Sequence, residues 1–162
     1  MARLPVRTDG KETLKKIRDN AKRLFAANGY RGVSIPMVAR LTGIRTPSFY
    51  HYFPDKSALY REIVEHALED FRDYVDKPLP QDLEGFLRSF MDNYLGFMLD
   101  FPEDFRILKE ACHFDESILS SVNKLIQSIL AKLPIPGVEE LNSKVLELFI
   151  ISPVRWIGTH KS

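Results

Sequence analysis

The sequence predicts an all-α protein: an N-terminal three-helix helix-turn-helix head, joined by a long fourth helix to a helical body. Three observations predict this. Apolar residues recur at three- and four-residue spacing along most of the chain. No stretch alternates apolar and polar residues for long enough to form a strand. Glycine, proline and helix-capping residues fall between the periodic segments, where turns are required.

Each element follows from its residues. Residues 1–11 read as a disordered basic arm. From Glu12, Leu14, Ile17, Ala21, Leu24 and Phe25 form one helical face, and Asn28-Gly29 stops it, with Gly29 suited to a left-handed terminal position. A second short helix opens at Ser34, whose hydroxyl is placed to cap free amides. It accepts Pro36 in its first turn and directs Val38 and Leu41 inward. Gly43 turns the chain, because it alone takes positive φ without steric cost. A third helix covers 46–52 and Pro54 ends it. Asp55 then caps a helix over about 56–75, with Leu59, Ile63, Ala67 and Phe71 as its inner stripe. Lys77-Pro78-Leu79-Pro80 is a stiff linker and the candidate domain boundary. Further helices are expected at 82–100, 102–112, 115–133 and 138–151. The domain reading is therefore arm 1–11, head 12–55, connecting helix 56–77 and body 78–162.

Composition restricts the function classes. The chain has 162 residues, 44% hydrophobic and 28% charged, an ordinary balance for a packed core. A single cysteine, Cys112, excludes an internal disulfide framework and fits a reducing cytoplasm. No apolar run reaches the roughly 18 residues of a membrane span, and the basic N-terminus lacks the apolar core of a signal peptide. The net charge of +1 conceals an asymmetry: residues 1–61 carry 13 Lys+Arg against 4 Asp+Glu, and residues 62–162 carry 10 against 18. A basic head on an acidic body points to an anionic partner at one end; DNA, RNA and an anionic membrane all satisfy charge alone.

The helix-turn-helix narrows that choice to double-stranded DNA. One helix braces against the phosphate backbone while the next lies in the major groove. Phe49 and Phe53 are apolar and anchor the reading helix from behind, leaving Arg45, Thr46, Pro47, Ser48, Tyr50 and His51 facing outward. All but Pro47 can donate hydrogen bonds, and the set is small enough for a groove about 12 Å wide.

These residues resemble the tetracycline-repressor (TetR) family. The resemblance runs through Ala21, Leu24-Phe25-Ala26, Asn28-Gly29-Tyr30, Val33-Ser34-Ile35, Val38-Ala39, Gly43-Ile44, Ser48-Phe49-Tyr50-His51-Tyr52-Phe53, Lys56 and Leu59, and covers about residues 12–60. It implies that Ser34 caps the second helix and meets phosphate, and that residues 45–47 form the base-reading turn. It implies that Tyr50 and His51 contact the backbone and groove edge, and that the amide and ammonium of Lys56 meet phosphate, where a helix N-terminus also favours anions. It also implies a helical body that binds a small effector and dimerises. Two departures stand out. Arg45 and Thr46 replace the family's small residue and lysine, and Pro47 replaces a glycine. Arg45 can read guanine bidentately or hold a phosphate, so base preference does not carry over from relatives. Tyr30 and Tyr52 read as packing residues.

In the body, Phe86, Phe90, Tyr94, Phe97 and Phe101 share one helical face, broadened by Met91, Leu95 and Met98; Phe105, Leu108, Cys112 and Phe114 follow. Phe90, Tyr94, Phe97, Met98, Phe105, Leu108 and Cys112 are the candidate lining for an apolar or aromatic effector; the same spacing also fits plain core. No carboxylate or cation identifies itself as a partner for a polar ligand. Cys112-His113 invites a nucleophile or metal reading, but neighbours on a helix diverge and the histidines (51, 66, 113 and 160) are scattered. The expectation is no enzyme, no metal and no cofactor.

The leading reading is a cytoplasmic repressor, dimeric on a palindromic operator and released by a small apolar effector. The alternative is a DNA-binding module without inducer response or stable dimerisation. It rests on the C-terminus, which reads as shortened: the helix at 138–151 meets Pro153, leaving room for at most one of the two C-terminal helices that such proteins use to dimerise.

Overall fold

The computed structural model describes residues 8–132 apart from Gln81. Seven helices and no strand occur among them: α1 Thr8–Gly32, α2 Ile35–Thr42, α3 Thr46–Phe49, α4 Lys56–Val75, α5 Leu83–Asp100, α6 Pro102–Phe114 and α7 Glu116–Leu130. The expected helix at 138–151, the proline after it and most of the basic arm lie outside the described residues. The chain forms two compact units that meet between Ala67 and Leu68, inside α4 and well before the Lys77–Pro80 stretch.

In the first unit, α2 packs on both α1 and α3. Its core is Ile17, Ala21 and Phe25 of α1, Val33 and Ile35, Val38 and Ala39 of α2, Phe49 and Phe53, and Leu59, Ile63 and Val64 of α4. α1 begins earlier than its apolar pattern predicts, at Thr8, so the segment 8–11 read as arm is helical. The break falls at the predicted glycine in a different conformation. Gly29 has φ 70° and ψ 169°, positive φ with extended ψ rather than a left-handed helical residue. Asn28 closes the helix before it, its Nδ2 donating to the Leu24 carbonyl at 3.0 Å. That backbone region is essentially restricted to glycine, so Gly29→Ala is expected to destabilise the head by about 1–3 kcal/mol in urea unfolding. An unchanged midpoint would show that the turn relaxes freely.

Two further expectations change. Leu41, predicted to face the core, is 54% exposed; Ala39 takes the inward place, because an eight-residue helix presents only one short stripe to α1 and α3. α3 is a single turn rather than a helix to Tyr52. Beyond it the amides of His51 and Tyr52 donate three residues back, to Ser48 and Phe49, while Phe53 donates to Phe49. This tightening is typical of a helix end, and it brings Phe49 and Phe53 into the same core, ring centroids 5.8 Å apart. Asp55 caps α4 as predicted, Oδ1 accepting the Ala58 amide at 2.8 Å. Arg18 of α1 and Glu62 of α4 form a half-exposed ion pair.

In the second unit, α5 packs on α6 and α6 on α7. Asp82 caps α5 through the Gly85 amide at 2.7 Å, and Asp115 caps α7 through the Ser117 amide at 2.9 Å. Pro102 stands in the first turn of α6, where it removes no helical hydrogen bond. Aromatic rings fill the interior. Phe97 is fully buried against Phe71, Tyr74 and Phe101, at centroid distances of 5.1, 5.9 and 5.5 Å. The Tyr74 hydroxyl donates to Asp100 at 2.6 Å, tying the end of α4 to the end of α5. No helix among the described residues is long and apolar enough to cross a membrane.

Candidate nucleic-acid interface

The site is built on the turn between α2 and α3. Gly43 ends α2 at φ 77°, ψ 25°, a left-handed residue, and Ile44 returns its amide to the Ala39 carbonyl at 3.0 Å. Arg45 follows in extended backbone and opens α3, its carbonyl accepting from the amides of Ser48 and Phe49 at 2.9 and 3.3 Å. Phe49 is fully buried and Phe53 nearly so. With those rings turned inward, the intervening side chains have only the outer face left. Arg45, Pro47, Tyr50 and His51 are exposed, and Thr46 and Ser48 are half-buried beside them. Among the described residues, none of the side chains of Arg45, Thr46, Ser48 and His51 is hydrogen-bonded within the protein. Tyr50 lays its ring edge-on to Phe49 at 5.7 Å and remains 53% exposed, which leaves its hydroxyl to solvent.

Two predicted residues take different places. Ser34 is the N-cap of α2, but its side chain makes no capping hydrogen bond. The reason is local: a cap accepts from the second or third helical amide, Pro36 has none, and the Met37 amide donates to the Ser34 carbonyl at 3.1 Å. The hydroxyl is therefore left exposed at the head surface. Lys56 turns inward. Its ammonium donates to the carbonyls of Tyr30 and Val33, both at 2.9 Å, and lies 4.2 Å above the Tyr30 ring. It bolts the start of α4 to the α1–α2 junction, and the ring beneath it packs on Phe25 and Tyr60. Tyr30 is thus a packing residue, as the sequence predicts. Sequence reading passed over Arg40, which is exposed in the last turn of α2, beside the reading turn. Its signal was only a cation next to Gly43.

The candidate effector residues of the body divide. A small cavity of about 20 Å³ is lined by Phe71, Tyr94, Phe105, Leu108, Lys109, Cys112 and Val122. Tyr94, Phe105, Leu108 and Cys112 of the predicted lining reach it. Phe90, Phe97 and Met98 do not: Phe90 stacks on Phe86, Phe97 belongs to the ring cluster around Phe71, and Met98 is half-buried on α5. Phe71 of α4 and Val122 of α7 join from helices that periodicity alone does not align, and Lys109 joins from α6 itself. Burial, reinforced by the charge of Asp115, pushes the Cys112 thiol up to about 11, so it stays protonated at neutral pH and is a poor nucleophile. His113 directs Nδ1 to the Lys109 carbonyl of its own helix at 2.8 Å. Among the described residues no group of three or more His, Cys, Asp or Glu side chains converges as a metal site.

A tight glycine turn, a buried aromatic anchor and an outward edge of donors define a helix-turn-helix head, carried here with a helical body. Residues 17–63 match the family "Bacterial regulatory proteins, tetR family". Through this N-terminal segment the chain resembles the tetR family. Among curated relatives, the biofilm operon icaADBC HTH-type negative transcriptional regulator IcaR of Staphylococcus epidermidis is 32% identical over 79 residues, 49% of this chain and 37% of that protein. The HTH-type transcriptional regulator SAR2658 of Staphylococcus aureus is 28% identical over 103 residues, 64% of this chain and 55% of that protein. The chain thus spans roughly a third to a half of the relatives it matches. A tetR-family transcriptional regulator from Streptomyces coelicolor shares the fold at TM-score 0.69 and 23% identity, over 98% of this chain and 74% of that one. One from Shewanella sp. PV-4 does so at TM-score 0.67 and 20% identity, over 91% and 86%. The relatives are named as regulators, in agreement with the reading against an enzyme.

Proposed function

We propose that the chain is a sequence-specific DNA-binding transcriptional regulator, a repressor that acts on a palindromic operator as a dimer in the cytoplasm and releases it when a small effector enters the body. The observation that carries the reading is the edge from Arg45 to His51, whose polar side chains are held outward by Phe49 and Phe53 and make no side-chain hydrogen bond among the described residues. The Staphylococcus epidermidis relative is named a negative regulator, which supports repression over activation. In this reading Arg45, Thr46 and Pro47 face bases. Ser34, Ser48, Tyr50 and His51 meet the sugar-phosphate backbone or groove edge, as does the backbone amide of Lys56 at the start of α4. Arg40 joins the phosphate contacts.

Selection of bound fragments from a random duplex pool tests it. A palindromic site is expected, with half-sites about 34 Å apart or a small multiple of that. Affinity is expected to fall linearly in log–log form with salt as phosphate counterions are released. Arg45→Ala is expected to relax selection at one base pair per half-site by about 1–3 kcal/mol, with the rest of the site unchanged. Uniform weakening across all sequences would instead assign Arg45 to a phosphate. Recovery of no duplex above background would sink the regulator reading. Equilibrium sedimentation of the full chain tests the dimer: a monomer at micromolar concentration would favour the DNA-binding module without stable dimerisation.

A further inference from the structure

The cavity of the second unit is apolar on its floor and cationic at its rim. Phe71, Tyr94, Leu108, Cys112 and Val122 are buried; Phe105 and Lys109 are half-buried and form the edge. Among the described residues, Lys109 is the only charged one in the lining. Among the described residues no carboxylate is bonded to its ammonium, and burial holds its pKa below the usual lysine value, a cost that no neighbouring anion offsets. Arg106 lies one turn before it and His113 one turn after, both exposed on α6 at three- and four-residue spacing, so they share its face. The Arg106–Lys109 pair stands out because residues 62–162 hold 18 acidic against 10 basic residues.

We propose that the cavity is the core of a site for an amphipathic acid, a small molecule with an apolar body and a single carboxylate. The apolar body enters against Tyr94, Leu108, Cys112 and Val122, and the carboxylate pairs with Lys109 at the mouth. At about 20 Å³ the partly open cavity has room for one water-sized guest. The two half-buried rim side chains, Phe105 and Lys109, are the ones whose rotation enlarges it, since the floor is packed. A neutral apolar ligand would leave the partly desolvated ammonium without a partner. A cationic one would meet it and Arg106 with like charge. The proposal rests on the reading of the body as an effector-binding unit and names the effector's chemical class.

The test titrates the full chain with octanoate, 1-octanol and octylamine at neutral pH by calorimetry. Octanoate is expected to bind about tenfold more tightly than octanol, the worth of one charge-assisted hydrogen-bonded pair, and octylamine most weakly. Lys109→Met is expected to bring octanoate to within about twofold of octanol while leaving octanol unchanged. Val122→Trp, which fills the floor, is expected to weaken all three, with folding checked by circular dichroism; Cys112→Met fills the same floor if that variant melts. Equal binding of octanoate and octanol, no binding of any probe, a preference that survives Lys109→Met, or octanoate binding that survives the filled floor would each overturn the proposal. DNA selection by the same preparation is scored separately. Loss of acid preference with operator binding intact rejects only the ligand class, and failure of DNA selection rejects the regulator reading itself.

Discussion

Phe49→Ala is expected to destabilise the head by about 3–5 kcal/mol, the range for removing a fully buried phenylalanine, and to abolish operator binding. Phe49 has no exposed surface and is the one buried residue of the four-residue helix α3. A single helical turn has no stability of its own, because nucleation costs more than one turn of hydrogen bonds returns. What holds Arg45 to His51 in a readable shape is therefore the seating of Phe49 beside Phe53, not the helix. Urea unfolding monitored by far-ultraviolet dichroism gives the stability, and operator titration the binding. Tyr50→Phe is the control: it keeps the ring against Phe49 and is expected to stay within about 0.5 kcal/mol of the parent. A Phe49→Ala variant that unfolds with the parent would show that the edge is anchored elsewhere.

Lys56→Met is expected to cost about 2–3 kcal/mol in the absence of any DNA. Two hydrogen bonds from an ammonium to the carbonyls of Tyr30 and Val33 disappear, together with the contact over the Tyr30 ring. Bonds to charged groups contribute about 1.5–3 kcal/mol each, but Lys56 is only half-buried and methionine recovers part of the packing, so the sum is discounted. A residue that touched only phosphate would leave the unfolding midpoint unmoved, which makes denaturation without DNA the deciding measurement. Operator affinity is expected to fall as well, because α4 and its first-turn amides lose their fixed place against the α1–α2 junction. Lys56→Arg is expected to recover little of either, since a planar guanidinium cannot centre on two carbonyls and a ring as a compact ammonium does.

Much of the head was legible in the sequence because its signals are local. A glycine between two apolar faces, an aspartate before a periodic run and a phenylalanine pair at four-residue spacing each restrict the backbone without reference to distant residues. Gly43, Asp55 and the Phe49–Phe53 pair accordingly occupy the predicted conformations. Ser34 shows where local reading stops. A serine before a helix reads as a cap, and only the absent amide of Pro36 and the prior use of the Met37 amide remove its partner. Leu41 shows the same for burial: its periodicity was right for a long helix, but a short one has no second helix over that position.

Long-range placement belonged to the fold. Lys56 is 26 residues from Tyr30 and 23 from Val33, a separation at which pattern carries no information. The ammonium meets these carbonyls because the chain turns at Gly29, within α1, where φ 70° with extended ψ redirects Tyr30 and the residues after it. In the body, four-residue spacing could not separate ring core from cavity wall, because both need apolar side chains on the inner face. Convergence of α4, α5, α6 and α7 residues chose Tyr94 over Phe97 and brought Lys109 to the rim. By itself the sequence determined the all-α class, the order of the helices, the basic head and the outward edge from Arg45 to His51, since these follow from composition and from periodicities within one or two turns. The tertiary structure alone decided which polar groups remain available, because a donor is free or spent only once residues far apart in the chain have been packed together.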